Sequence, residues 1–170
     1  MRHHIHLLRH AKSSWDDPGL PDHDRPLAPR GRRAAERLSR HVATIGVAPD
    51  LVLCSSAIRA VETWEGIKSG FPPDTQVAVS PELYEAAAPS LLGRLNLLAE
   101  TVRSVLIIGH NPSIEALAIG LTGAGAADAI ARIKTKYPTG ALATLVVEEA
   151  WAELAWESAT LESFVVPREL

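Results

Sequence analysis

Residues 5–10 have the sequence Ile-His-Leu-Leu-Arg-His, close to the amino terminus of the chain. The apolar run at residues 5–8 has the length and composition of a short buried strand. A polar stretch rich in proline and aspartate follows at residues 12–29, and this composition predicts a loop. We therefore expect Arg9 and His10 to lie at the carboxyl end of the first strand.

Apolar runs and amphipathic segments alternate along the rest of the chain. Strands alternating with helices predict a mainly parallel sheet covered on both faces, which is an α/β fold of the three-layer αβα sandwich type. Strands are predicted at residues 51–54, 76–79, 105–108, 142–147 and 151–156, and helices at residues 34–42, 58–67 and 90–102 and from Asn111-Pro112 onward.

Three local interpretations complete the predicted fold. Ser55-Ser56 offers an amino-terminal cap for the helix that carries Arg59 in its first turn. The last two predicted strands suggest a hairpin at the edge of the sheet, and the tail at residues 163–167 is expected to pack on the core. The alanine- and glycine-rich residues 120–127 are interpreted as a loop or a loose helix end.

The composition is that of an ordinary globular chain. With 170 residues, 46% hydrophobic and 22% charged, one domain spanning residues 1–170 can bury a core. The formal net charge of -3 argues against general affinity for nucleic acid or acidic membranes. No apolar run reaches the ~18 residues that a membrane span requires. A single cysteine, Cys54, and no signal-peptide pattern make the cytoplasm the expected location. Nothing in the sequence indicates an oligomeric state.

Five arginines are concentrated between residues 30 and 40. Such a run is most often the solvated face of a helix, and the alternative is a surface that contacts an acidic partner. The arginines are Arg30, Arg32, Arg33, Arg37 and Arg40.

Chemically active side chains follow three of the predicted strands. Arg9-His10, Arg59 and His110 all come directly after a strand or in the first turn of the next helix. Ligands of open α/β sheets bind beyond the carboxyl ends of the strands, so these segments are expected to converge. Guanidinium groups and helix amino termini both favour anions. The sequence therefore predicts a phosphate site.

A neutral histidine in such a site can act on phosphorus. One ring nitrogen must donate its hydrogen elsewhere so that the other presents a lone pair, and His10 is the predicted nucleophile. Positioning and charge stabilisation by arginines meet most of what phosphoryl transfer requires, so we expect neither a metal ion nor a cofactor. A rival hypothesis takes His4, His6 and His10 as ligands of a metal hydrolase site.

The three segments resemble the signatures of the histidine phosphatase, or phosphoglycerate mutase-like, superfamily. Residues 7–11 (LLRHA) are similar to its Arg-His-Gly motif, residues 55–63 (SSAIRAVET) to its second segment, and residues 109–112 (GHNP) to its late histidine segment. The short chain and residues 24–27 (DRPL) look most like the SixA-type phosphohistidine phosphatases. Ala11 stands where the family usually has glycine.

The resemblance implies a role for each residue of the site. His10 would be phosphorylated, Arg9 and Arg59 would hold the phosphate, and His110 would complete the pocket. The family's proton donor follows the third strand in a Leu-x-Glu context, which selects Glu85 and leaves Glu82 as the rival. Ser13 either adds a hydroxyl to the phosphate pocket or caps a turn.

The expected function is a metal-independent phosphatase that works through a phosphohistidine intermediate. Its substrate would be a phosphohistidine protein or a small phosphate ester, so the enzyme would be a phosphoric monoester or phosphohistidine hydrolase. The alternative is a phosphate- or phosphoprotein-binding module on the same scaffold whose catalysis has been lost.

Overall fold

The computed structural model describes residues 2–170 and contains one seven-stranded sheet with helices on both sides. The strands are β1 (His3–Arg9), β2 (Leu51–Ser55), β3 (Gln76–Ser80), β4 (Ser104–Gly109), β5 (Thr122–Gly125), β6 (Leu142–Val147) and β7 (Ala159–Val165). The helices are α1 (Pro29–Ile45), α2 (Ile58–Ile67), α3 (Ala88–Asn96), α4 (Ser113–Leu121) and α5 (Ala127–Thr135).

The strand order across the sheet is β3-β2-β4-β1-β6-β7-β5. Within residues 2–170, β6 is the one strand that runs against the others, pairing antiparallel with both β1 and β7. The remaining adjacent strands pair in parallel. The predicted α/β class with a mainly parallel sheet is confirmed.

Alternate residues of the central strands enter two separate cores. On one face, Leu53 and Ile107 pack with α3, α4 and α5, and on the other, Val52 and Leu106 pack with α1 and α2. These strands are apolar on both sides because helices cover both faces. Burying one such side chain stabilises the fold by about 1.5–3 kcal/mol. The three predicted layers are therefore present.

The start of α1 is fixed against the loop that follows β1. Pro29 occupies the first turn, and a Cβ at Gly31 would overlap the carbonyl oxygen of Lys12. That close approach requires glycine, since an added methyl group would displace backbone. The helix ends at Gly46, whose φ of 73° is left-handed. The loop after His10 is thereby held at the carboxyl edge of the sheet.

The carboxyl-terminal third departs from the prediction. The prediction of a strand at residues 151–156 is wrong, because Trp151–Glu153 forms a 3₁₀ turn. Trp151 is fully buried, and its indole N–H donates to the carbonyl of Val102 at 2.7 Å. This apolar segment therefore packs into the core and does not pair with a strand of the sheet. The hairpin partner of β6 is β7, which includes most of the tail expected merely to pack on the core.

The interpretation of residues 120–127 as a loop or loose helix end is also wrong. β5 lies here as an edge strand beside β7, so the hairpin does not close this edge of the sheet. A Cβ at Gly123 would overlap the carbonyl oxygen of Glu157, so glycine permits backbone contact that composition alone does not reveal. Helix α3 also begins earlier and ends earlier than predicted, at Ala88–Asn96.

Within residues 2–170, no helix combines the length and apolar character needed to cross a bilayer.

Candidate active site

His10 lies directly after β1 and is buried, with 6% of its surface exposed. Its Nδ1 is 2.7 Å from the carbonyl oxygen of Ala11. Because a carbonyl only accepts, Nδ1 carries the hydrogen and Nε2 carries the lone pair. Burial lowers the pKa of His10 to about 3, and the neighbouring charges of His110, Arg59 and Arg9 act in the same direction. The ring is therefore neutral at physiological pH.

Arg59 binds the unprotonated nitrogen of that ring. It lies in the first turn of α2 and is buried, and its Nε donates to Nε2 of His10 at 3.3 Å. Its two terminal nitrogens bind Asp22, with Nη1 donating to the backbone carbonyl at 2.7 Å and Nη2 to Oδ2 at 2.9 Å. One guanidinium thus connects the histidine to a loop carboxylate.

His110 follows β4 and faces His10, with 5.2 Å between the ring centroids. Its Nε2 is 2.7 Å from Oγ of Ser55, while Nδ1 is buried without a hydrogen-bond partner in residues 2–170. Burial lowers the pKa of His110 to about 4, and Arg59 adds to the effect. Nδ1 is therefore the atom left for a bound ligand.

Arg9 is the last residue of β1 and acts electrostatically on both histidine rings. Its positive charge lowers the pKa of His10 and of His110. Nη1 donates to the carbonyl of Tyr137 at 3.0 Å, and Nε is buried without a partner in the described residues. Burial lowers the pKa of Arg9 itself, and Glu115 opposes that shift. The structure thus brings the four predicted residues Arg9, His10, Arg59 and His110 to one place.

The predicted proton donors lie apart from these contacts. Glu85 is exposed and makes no hydrogen bond or ion pair with residues 2–170. Glu82 accepts a hydrogen bond from the Ser80 hydroxyl, which lowers the pKa of the Glu82 carboxyl. Neither carboxylate bonds to the two histidines or to Arg59.

Asp22 is the carboxylate that contacts the site, and no sequence motif selected it. Oδ2 accepts from the Tyr84 hydroxyl at 2.5 Å as well as from Arg59, and Oδ1 accepts from Arg25 at 3.1 Å. The Tyr84 hydroxyl, followed by the two guanidinium groups, holds the pKa of Asp22 well below its usual range. The only sequence signal was its place three residues before Arg25.

Ser13 is linked to Arg59 only indirectly, through Arg25 and Asp22. Its Oγ accepts from Nη2 of Arg25 at 2.6 Å, and Nε of Arg25 donates to the carbonyl of Ser14 at 3.1 Å. The Arg25 guanidinium also lies 3.2 Å from the ring centroid of Trp15, a cation–π contact. Residues of the predicted loop are thus tied to one another beside the phosphate-binding candidates.

Comparison with known proteins assigns the family. Residues 5–103 match the histidine phosphatase superfamily, branch 1. The chain belongs to the histidine phosphatase superfamily. A relative from Mycobacterium leprae, the uncharacterised protein ML1117, is 42% identical over 166 residues, a match that covers 95% of this chain and 100% of that protein.

Two solved structures place the chain within the histidine phosphatases. A candidate phosphohistidine phosphatase SixA from Nakamurella multipartitia matches with a TM-score of 0.85 at 28% identity, covering 98% of this chain and 97% of the other. One from Agrobacterium tumefaciens matches with a TM-score of 0.82 at 31% identity, covering 97% and 98%. The fold and the resemblance to SixA-type proteins are confirmed, and together with the family they support a phosphatase activity.

The glycine of the histidine phosphatase motif is replaced here without backbone strain. Ala11 is buried, and its N–H donates to Oγ1 of Thr63 at 3.0 Å. Within residues 2–170 the sole non-glycine residue with positive φ is Glu157, so Ala11 adopts a backbone conformation open to any residue. The methyl group therefore fits beside the nucleophile.

The geometry gives no support to a metal site built on the first strand. The rings of His4 and His6 stack 6.3 Å apart, and Nδ1 of His6 hydrogen-bonds Oγ1 of Thr144 at 3.0 Å. Burial lowers the pKa of His6 to about 4. Across residues 2–170, no three histidine, cysteine or acidic side chains are grouped closely enough to hold a metal ion.

Proposed function

We propose that this histidine phosphatase hydrolyses phosphorylated substrates through a phosphohistidine intermediate on His10. One observation carries the proposal: Nδ1 of the buried ring donates to the Ala11 carbonyl, while the unprotonated Nε2 accepts from Nε of Arg59, a donor that an incoming phosphate can take over. An imidazole held in one tautomer next to a guanidinium is prepared to attack an anion that the guanidinium binds.

The proposed first step forms a bond from Nε2 of His10 to phosphorus. The bond from phosphorus to the leaving oxygen or nitrogen breaks, and the leaving atom takes a proton from a general acid. The ring becomes cationic, and its hydrogen bond from Nδ1 to the Ala11 carbonyl stabilises that charge. Arg59 and Arg9 would bind the phosphoryl oxygens, and so would Nδ1–H of His110 in the tautomer whose Nε2 accepts from the Ser55 hydroxyl. This scheme uses no metal ion or cofactor.

The second step consumes water. Its oxygen attacks phosphorus, the bond between phosphorus and Nε2 breaks, and the water's proton passes to the carboxylate that served as acid in the first step. Inorganic phosphate leaves, and His10 returns to its neutral form.

Glu85 is the proposed general acid, and Asp22 is its rival within the site. Asp22 is ionised while Arg59 and Tyr84 bind it, but an incoming phosphate would compete for Arg59 and add negative charge, and both changes raise the pKa of a carboxyl. Loss of the true donor slows poor leaving groups more than good ones. Comparing Glu85→Gln with Asp22→Asn on aryl phosphates of graded leaving-group pKa assigns the role.

The proposed substrates are phosphohistidine proteins or small phosphate esters, and the proposed compartment is the cytoplasm. The SixA-type structures that resemble this chain support the first substrate class. The buried free thiol of Cys54 is compatible with a reducing compartment.

The test is phosphate release from an aryl phosphate and from phosphohistidine peptides, in the presence of a chelator. The parent protein should be active, and His10→Ala should lose activity by about 10³-fold or more, as expected for a nucleophile. The matched control is His41→Ala, which replaces a histidine of α1 that is not among the buried residues of that helix. Equal activity of His10→Ala and parent would remove the mechanism, and tight phosphate binding without turnover would favour a binding module.

A further inference from the structure

An open groove of about 440 Å³ adjoins the candidate active site and shares Arg9 with it. Four segments form it: the end of β1 with the loop that follows it, the amino-terminal half of α1, the loop between α5 and β6, and the turn after β7. We call it the basic groove, because its lining includes the cations Arg9, Lys12, Arg30, Arg37, Lys136 and Arg168.

The basic groove is fixed to the same backbone as the nucleophile. The N–H of Gly140 donates to the carbonyls of both Arg9 and His10, at 2.9 and 3.0 Å. Nε of Arg37 donates to the carbonyl of Pro167 at 3.2 Å, which attaches the carboxyl-terminal turn to α1. The groove therefore keeps a set position relative to His10.

In the described part of the chain, the cations of the basic groove lie outside ion pairs, although Glu115 acts electrostatically on Arg9. Among residues 2–170, no carboxylate lines the groove, and none of its six cations forms an ion pair. This contrasts with Arg59 and Arg25, which both bind Asp22. A chain of net charge -3 thus concentrates positive charge beside its active site, which attracts anions.

The lining favours an acidic peptide segment over other anions. No aromatic ring lines the groove within residues 2–170, so a nucleobase has no surface on which to stack. Six cations on four segments exceed what a single phosphate group binds, and a concave surface suits a chain segment better than a flat lipid face. Arg30, Lys136 and Arg168 are exposed and can reach several carboxylates.

We propose that the basic groove binds acidic side chains that flank the phosphorylated residue of a protein substrate. The inference rests on the proposed phosphatase function and names its substrate class. It also gives two of the five clustered arginines, Arg30 and Arg37, a role beyond that of a solvated helix face.

The test compares two phosphohistidine peptides that differ only in the flanking residues, glutamate in one and glutamine in the other. At low salt the parent protein should hydrolyse the glutamate peptide with a kcat/KM about 10-fold higher, since each exposed ion pair contributes about 2- to 5-fold. The preference should shrink as salt screens the charges. Equal kcat/KM values for the two peptides would overturn the proposal.

Variants locate the preference on the protein. The combined change Arg30→Gln, Lys136→Gln and Arg168→Gln should abolish it, whereas Arg33→Gln, on the same helix but outside the groove, should preserve it. Arg37 is left intact because it also bonds to Pro167. A triple variant that keeps the full preference contradicts the proposal.

Three further measurements separate this proposal from the proposed function and from binding of small polyanions. An aryl phosphate has no flanking acid, so its turnover by the triple variant should stay within about 2-fold of the parent. If no substrate is hydrolysed at all, the phosphatase proposal fails, and fluorescence anisotropy of a labelled, unphosphorylated glutamate peptide still tests the groove. Weaker binding to the triple variant supports the groove, and equal binding overturns it. Tripolyphosphate binding without peptide binding would also overturn it, in favour of small polyanions.

Discussion

The candidate active site and the basic groove share Arg9, yet they handle charge in opposite ways. In the active site Arg59 is buried and bound to Asp22 and His10. In the groove Arg30, Lys136 and Arg168 are exposed, and none of the groove cations has an ion-pair partner in residues 2–170. A buried, bound cation is held in one geometry, which suits stabilisation of a transition state, whereas exposed cations attract anions without fixing them. In this account the active site carries out the phosphoryl transfer, and the neighbouring basic groove contributes to the choice of substrate.

The largest effect should come from breaking the fixed geometry of the active site. Arg59→Lys keeps the charge but cannot reproduce the fork that reaches His10 and Asp22 together. We expect kcat/KM for an aryl phosphate to fall about 10²-fold or more. Arg40→Lys, the same change on α1, should have little effect. Steady-state kinetics of both variants decide, and near-parental activity of Arg59→Lys would show that charge alone suffices.

A change at Gly31 should disturb both sites. The methyl group of Gly31→Ala would overlap the Lys12 carbonyl and displace α1, which carries part of the groove, from the loop after His10. We expect a loss of about 1–3 kcal/mol in the free energy of unfolding. Gly93→Ala is the matched control, because a Cβ there meets nothing within 4 Å. Helix propensity predicts that the control gains about 0.5–1 kcal/mol. Denaturant unfolding measures both, and an unchanged Gly31→Ala would contradict the close approach.

A smaller effect should distinguish the two sites by pH. The pKa of His10 is about 3 in the folded protein and 6.5 ordinarily, so between these values the unfolded state binds more protons. The stability associated with the neutral ring is complete above pH 6.5 and is lost as pH falls toward 3. Between pH 7 and 5, His10→Gln should lose about 1–2 kcal/mol less stability than the parent.

His41→Gln is the control for that measurement and should follow the parent. Within residues 2–170 no histidine lines the basic groove, so the comparison concerns the active site alone. Parallel pH dependence of His10→Gln and parent would mean that the ring is not held neutral by burial.

The parts of the fold predicted from sequence are those where burial dictates pattern. Residues 51–54 and 105–108 are apolar throughout because helices cover both faces of the sheet, so they were recognised as strands. The convergence of Arg9, His10, Arg59 and His110 follows from that prediction, since parallel strands end at one edge.

Asp22 and Tyr84 could not be predicted in the same way. They lie 62 residues apart, in segments without periodic pattern, and their hydrogen bond depends on how two loops fold over the sheet edge. The Leu-x-Glu motif points to Glu85, yet the neighbouring Tyr84 is the side chain that contacts Asp22 and His110.

The carboxyl-terminal errors have a related cause. Trp151 is of a residue type that is common in strands, but its burial and its hydrogen bond to the Val102 carbonyl hold it in a turn. β5 was missed because Gly123 and Gly125 weaken a strand signal while permitting close backbone contact. In both places a long-range contact overrides local pattern.

The most direct measurement is to trap the enzyme with a radiolabelled phosphorylated substrate by rapid quenching and to map the label by peptide digestion. Label should appear on the peptide containing His10, should be labile in acid and stable in base, and should be absent from His10→Ala. Label on another residue, or full turnover without any labelled protein, would contradict a phosphohistidine intermediate on His10.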